Sequence, residues 1–323
     1  MENKVFDVTA LGELLVDMTQ SGLSEQGNQL FEANPGGAPA NVLAMLRKLG
    51  KRCAFLGKVG QDSFGDMLER TVREAGIDTR GLRRDAEIPT TLALVHTFPN
   101  GDRDFSFYRK PGADIRLRGE ELDLERVRGC RIFHFGTLSL TDEPCLSATL
   151  EAVREAKEAG ALLSFDPNLR EPLWPSLDAA REQIAWGLGQ CDILKISDNE
   201  IVFMTGEEDF DAGAAKLQAL YPNIRLLNVT AGAEGSYAYY GGLRAFEPGC
   251  RRGGVIETTG AGDTFCACVL NYVLEHGLDD LTEYDLHEML RFANTAAYIV
   301  TTRKGAIRSM PEREQVQAIL DQA

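Results

Sequence analysis

Short apolar runs alternate with amphipathic helical stretches along most of this chain, and the alternation restricts its fold more than any other feature. The apolar runs fall at residues 5–11, 53–59, 131–135, 162–165, 193–196 and 226–229. Helical periods cover 38–49, closed by Gly50, and 64–75, closed by Gly76, then 144–159, 177–188 and 212–220. Apolar runs too short for a helix and separated by helices read as buried strands. The pattern predicts an α/β fold with a mostly parallel sheet covered by helices on both faces. A chain of 323 residues can bury a sizeable core, and no Pro- or Ser-rich linker divides it. One domain spanning 1–323 is expected.

One region breaks the alternation. Residues 90–97 and 103–109 read as the arms of a β-hairpin, with Asn100-Gly101 as its turn. Residues about 12–36 are rich in Gly, Gln and Asn, have no helical period, and suit pairing with that hairpin. The two segments, about 12–36 and 89–112, are expected to form a small β lid over the carboxyl ends of the parallel strands. Ligands bind at those ends in open α/β sheets. The aromatic arm Phe105, Phe107 and Tyr108 is expected to pair with a second subunit, because exposed sheet edges need cover. That gives a homodimer through the lid.

Charge narrows the partners. The formal net charge of −15 argues against nucleic acid, whose phosphates require clustered Lys and Arg, and against an anionic membrane surface. No apolar run is long enough to span a bilayer. The first residues carry acids and do not read as a signal peptide. Seven cysteines are scattered without a CxxC pair, as expected of reduced cytosolic thiols. Cys266 and Cys268, two apart on a helix, do not share a face. A cytoplasmic enzyme is expected, holding any anionic cofactor through backbone amides and a metal ion.

The segment Glu257-Thr-Thr-Gly-Ala-Gly-Asp263 leads straight into an apolar helix. Free N–H groups and the helix dipole make such a start an anion site. Gly260 and Gly262 let the backbone approach a phosphate. Asp263 stands beside this hole, where a carboxylate repels phosphate. It suits a base that takes a proton from an attacking hydroxyl, and it equally suits a plain helix cap. The segment is not a Walker A loop, since no Gly-Lys-Ser/Thr follows, and it lacks the GxGxxG of a dinucleotide site.

Three motifs in order, Gly36-Gly-Ala-Pro-Ala-Asn41, TTGAGD ending at Asp263, and Arg303-Lys-Gly-Ala306, resemble those of the ribokinase-like (PfkB) sugar kinases. The resemblance covers about residues 5–311. Four segments resemble the fructokinase branch: GGAPAN at 36–41, FYRKPGAD at 107–114, FHFGTLSL at 133–140 and DPNLREPLWPS at 166–176. The resemblance implies a ribokinase-like three-layer sandwich with a β lid, and an ATP-dependent kinase that makes D-fructose 6-phosphate from D-fructose. Asp263 is then the base, and Gly260, Ala261 and Gly262 the anion hole. Asp17, Gly36, Gly37 and Asn41 match sugar-binding positions, and Arg109, Asn168 and Arg170 resemble further substrate contacts. Lys195, Glu200, Thr230, Gly232 and Asn294 fall on the nucleotide side, with Glu200 helping to hold Mg2+ through water; Ser197 replaces the usual Asn of that motif. Glu257 replaces an Asp that borders a K+ site, whose other side matches Val300, Arg303, Gly305 and Ser309. A 2-keto-3-deoxygluconate kinase is the nearest alternative, because arginine suits a sugar acid. A non-catalytic homologue has no need of Asp263.

Overall fold

The computed structural model describes residues 4–97 and 103–322. Its strands are β1 (Phe6–Leu11), β2 (Leu15–Leu23), β3 (Gln29–Gly36), β4 (Cys53–Gly60), β5 (Asp78–Asp85), β6 (Leu92–Thr97), β7 (Arg103–Tyr108), β8 (Cys130–Gly136), β9 (Leu162–Asp166), β10 (Ile193–Ser197), β11 (Leu226–Thr230), β12 (Gly235–Tyr240) and β13 (Leu243–Pro248). The α-helices are α1 (Ala38–Lys48), α2 (Ser63–Glu74), α3 (Leu124–Arg128), α4 (Cys145–Glu158), α5 (Leu177–Leu188), α6 (Asp198–Thr205), α7 (Phe210–Leu220), α8 (Ala261–His276), α9 (Glu283–Thr301) and α10 (Arg313–Leu320).

The large sheet has nine strands in the order β13-β12-β11-β10-β9-β8-β1-β4-β5. Pairings from β5 to β11 are parallel, and β12 and β13 close one edge antiparallel. Alternating side chains feed two cores. Val8, Phe55, Ile132 and Ile193 pack with α1, α2, α8, α9 and α10 on one face. Leu56, Phe133, Leu194 and Leu227 pack with α3 to α7 on the other. The result is a three-layer sandwich, as the strand–helix alternation requires. From β1 the chain winds outward one way through β4 and β5 and the other way from β8 to β11. The strand order therefore reverses at β1/β8, and the crevice beyond the carboxyl ends of such a junction is the natural ligand site.

A second sheet of four strands, β3-β2-β6-β7, stands apart. The segment after β1 and the expected hairpin do pair, with β2 running parallel to β6 from Val16↔Leu92 and β6 antiparallel to β7. The expected hairpin turn at Asn100-Gly101 lies outside the described residues. Leu23, Leu30 and Tyr108 are exposed on this sheet. Among the described residues no helix is long and apolar enough to cross a membrane, and the seven cysteines are free, Cys266 and Cys268 being buried.

Candidate active site

The carboxyl ends of β1, β8, β9, β10 and β11 open into a cleft of about 1080 Å3. One wall begins just after β1. Glu13 is buried, and its Oε1 accepts the Ala38 N–H at 2.7 Å, which caps the first turn of α1 in place of the glycine there. Gly37 has φ 122°, and a Cβ on it would stand 2.4 Å from the Glu13 carbonyl. A Cβ on Gly36 would stand 2.2 Å from Asp17 Oδ2. Both glycines are required by close approach, and together they aim α1 so that Asn41 reaches the cleft. Asn41 Nδ2 donates to Asp263 Oδ2 at 2.7 Å, joining residues 222 positions apart.

Asp263 lies in the first turn of α8, whose cap Gly260 is left-handed at φ 79°. A Cβ at that position would also press on Ala306. The leading N–H groups of α8 have no acceptor within the helix; that of Ala261 donates to the Thr258 carbonyl at 3.3 Å, and Gly260 and Gly262 line the cleft. Burial raises the Asp263 carboxyl, while the Asn41 hydrogen bond and the charges of Lys195 and Arg170 oppose that rise. A carboxylate with a raised pKa, hydrogen-bonded in place, suits proton abstraction better than an ordinary surface acid. Burial likewise pushes Asp17 up to about 7; Arg170 counters it, and Glu257 and Asp263 add to it.

Beyond β9, the 166–170 loop is held rigidly. Thr137 donates through its backbone N–H and its hydroxyl to the Pro167 carbonyl. Asn168 adopts φ 46°, a left-handed conformation that Asn tolerates. Glu200 accepts the Leu169 N–H at 2.7 Å and the Ser197 N–H at 2.8 Å. Ser197 in turn caps α6, so the serine at this position completes a capping box. Asp17, Gly37, Asn41, Asn168, Arg170, Lys195, Glu200, Thr230, Gly232 and Gly262 all line the cleft. Glu257, also in the wall, accepts the Gly305 N–H at 3.3 Å. Ser309 Oγ donates to the Gly305 carbonyl at 2.6 Å, and Arg303 donates to the Ser309 carbonyl at 3.0 Å.

The model of the "pfkB family carbohydrate kinase" matches residues 6–313. The chain belongs to the pfkB family of carbohydrate kinases. Fructokinase-1 of Zea mays is 41% identical over 318 residues, covering 98% of each chain. A fructokinase from Xylella fastidiosa with bound ATP is 32% identical, with TM-score 0.88 and 98% of each chain covered. A fructokinase from Vibrio cholerae O395, in a form with bound fructose, ADP and calcium, is 30% identical, with TM-score 0.86, covering 98% of this chain and 99% of that one.

Eight expected site residues of this carbohydrate kinase are not among those that line the cleft: Gly36, Ala261, Arg109, Asn294, Val300, Arg303, Gly305 and Ser309. Arg109 is 3% exposed. Its Nε donates to Asp114 at 2.7 Å, and its other nitrogens donate to Thr141 Oγ1 at 2.8 Å and to the Leu138 carbonyl at 2.6 Å. The guanidinium is engaged in tying β7 to the loop after β8. Asn294 accepts from Ser236 Oγ at 2.8 Å and donates to the Glu247 and Pro248 carbonyls, which pins α9 to the β12–β13 hairpin. Conversely, sequence reasoning passed over Glu13, Asp166 and Asp198. Glu13 and Asp166 stand where an apolar strand run ends in an acid, a signal present in both segments. Asp198 sits beside Glu200 in the first turn of α6 and lines the cleft.

Replacing Arg109 with Met leaves the buried Asp114 carboxylate without its cation. Stability measured by urea unfolding should fall by about 3–5 kcal/mol, and adding Asp114→Asn should recover most of it. Wild-type stability combined with a raised KM for sugar would return Arg109 to the substrate.

Proposed function

We propose that this kinase transfers the γ-phosphoryl group of ATP to a primary hydroxyl of D-fructose, giving D-fructose 6-phosphate and ADP. The observation that carries the reading is the Asn41–Asp263 hydrogen bond, which holds the carboxylate read here as the base beside the turn 260–262. The hydroxyl oxygen attacks the γ-phosphorus while its proton passes to Asp263. The bond from γ-phosphorus to the bridging oxygen breaks, and that oxygen leaves with ADP. Backbone N–H groups of Gly260, Ala261 and Gly262 stabilise charge on the moving phosphoryl group. Lys195, Thr230 and Gly232 receive the nucleotide phosphates. Asp198 and Glu200 are the acids placed to hold Mg2+, through water in the case of Glu200; the ion supplies charge neutralisation when bound. The four-stranded sheet serves as a lid that excludes water.

The choice of a neutral sugar follows from charge. Arg109 is neutralised by Asp114 at 2.7 Å. Arg170 faces the carboxylates of Asp17 and Asp263. Neither guanidinium is left uncompensated for a sugar acid, and a buried site with matched polar groups discriminates against substrates that leave them unpaired. Glu257, Ser309 and the carbonyls of Val300, Arg303 and Gly305 are read as a K+ site that braces the anion hole from behind, since a Cβ on Gly260 would touch Ala306 of the same loop.

In a coupled ADP-release assay, kcat/KM should be highest for fructose among fructose, glucose, ribose and 2-keto-3-deoxygluconate, and potassium should raise the rate above that in tetramethylammonium at equal ionic strength. A preference for the keto-acid would overturn the fructose assignment, and equal rates in the two cations would remove K+. Leu23, Leu30 and Tyr108, exposed by 64%, 45% and 63% on the lid sheet, are read as the contact with a second copy in a cytoplasmic homodimer. Light scattering should give twice the chain mass, and a monomer at micromolar concentration would contradict that contact.

A further inference from the structure

The cleft that must receive a polyanion is itself acidic. Seven carboxylates line it against two cations among the described residues, Arg170 and Lys195. Arg170 stands at the sugar end beside Asp17. Lys195 is the cation at the phosphate end, on β10, with its Nζ 3.1 Å from where a Cβ on Gly262 would stand. The ammonium is therefore packed directly under the first turn of α8, and a glycine at 262 is what permits that approach.

Lysine is a point charge on a flexible stem, and it needs an anchor to hold one position. That anchor is Asp166, the last residue of β9, which does not line the cleft and is 2% exposed. Lys195 Nζ lies 3.1 Å from each of its two oxygens, and Oδ2 has no hydrogen-bond donor beyond this ionic contact. The parallel register Ile193↔Ser164 and Leu194↔Phe165 brings the two side chains together. Glu200 from α6, Asp263 and Cys266 from α8, and His134 from β8 also face the ammonium. Burial opposes the charge on Lys195, but the carboxylates of Asp166, Glu200 and Asp263 outweigh it and raise its pKa. His134 is held neutral, down to about 3, by burial and by the charge of Lys195. Glu200 gives both oxygens to backbone amides and Asp263 is bonded by Asn41, so Asp166 is the carboxylate in direct contact with the lysine.

We propose that Asp166 is a positioning residue of the phosphate site, fixing the Lys195 ammonium against Gly262 so that a permanent positive charge stands beneath the nucleotide's phosphates. Without a contacting counter-charge, a buried lysine turns away or loses its proton. The inference rests on the nucleotide reading above, and its test separates the two.

Inorganic tripolyphosphate and adenosine are titrated separately by calorimetry into the wild-type chain and into Asp166→Asn. The variant should bind tripolyphosphate at least tenfold more weakly and adenosine unchanged. A purely structural role would weaken both alike, and that result overturns the proposal. So does tripolyphosphate binding equal to wild type. If Asp166→Asn does not fold, the double variant Asp166→Asn/Lys195→Met, which removes both buried charges, should fold and show the same selective loss; tripolyphosphate binding at wild-type strength in the double variant would overturn the proposal as well. A wild-type chain that binds no tripolyphosphate would overturn the phosphate reading itself and Asp166's role with it.

Discussion

The hydrogen bond from Asn41 to Asp263 joins two helices that meet in one core, and the site depends on their mutual placement. Helix α1 follows the early strands and α8 comes late in the chain, yet residues of both pack into the same cluster beneath the sheet. The bond to an ionised acceptor is worth about 1.5–3 kcal/mol, too little to bring the helices together. Their apolar faces do that work, and the bond then orients the carboxylate. Behind Asn41, Glu13 caps α1, and behind Asp263 the left-handed Gly260 sets the start of α8. Asn41 and Asp263 are thus each positioned by a feature one step further back in the chain.

Buried charge is the recurring cost of this arrangement. Glu13, Asp166, Lys195 and Glu200 are all buried, and burial raises the carboxyl of Glu13 to about 7. Ionised groups in such surroundings persist when each is hydrogen-bonded or paired. Here the partners are main-chain amides for Glu13 and Glu200, and the two opposite charges for each other in the Asp166–Lys195 pair. The Glu200 and Asp166 contacts tie the segments at the ends of β9 and β10 together, and the Glu13 contact ties the segment after β1 to α1. Stability and site geometry are therefore supplied by the same contacts.

The parallel core was legible because strands such as Leu162–Asp166 and helices such as Leu177–Leu188 carry clean periods. The strand Asp78–Asp85 was not, because its sequence DTRGLRRD is an edge strand whose polar side chains meet Glu69, Glu121 and Arg126. The hairpin Gly235–Pro248 was passed over although Gly241-Gly242, both at positive φ, marks its turn between GSYAYY and LRAFEP. In the site, glycines and Asp263 were legible because their chemistry is local. Arg109 lies outside the cleft lining, and nothing in FYRKPGAD says which way its guanidinium turns; Asp114, five residues on, holds it. Asn294 has the same character, since its partners in β12 and β13 lie 46–58 positions away. Asp166 was missed because its meaning comes from Lys195 on the neighbouring strand.

Replacement of Asp263 tests the central claim most directly, because the claim is that its carboxylate removes the proton from the attacking hydroxyl. Turnover of Asp263→Ala and Asp263→Asn is measured alongside the binding of a non-hydrolysable ATP analogue to each. The account predicts that turnover falls by about 10²–10⁴-fold, with analogue affinity close to wild type. Near-normal turnover in either variant, with the fold intact, would contradict it.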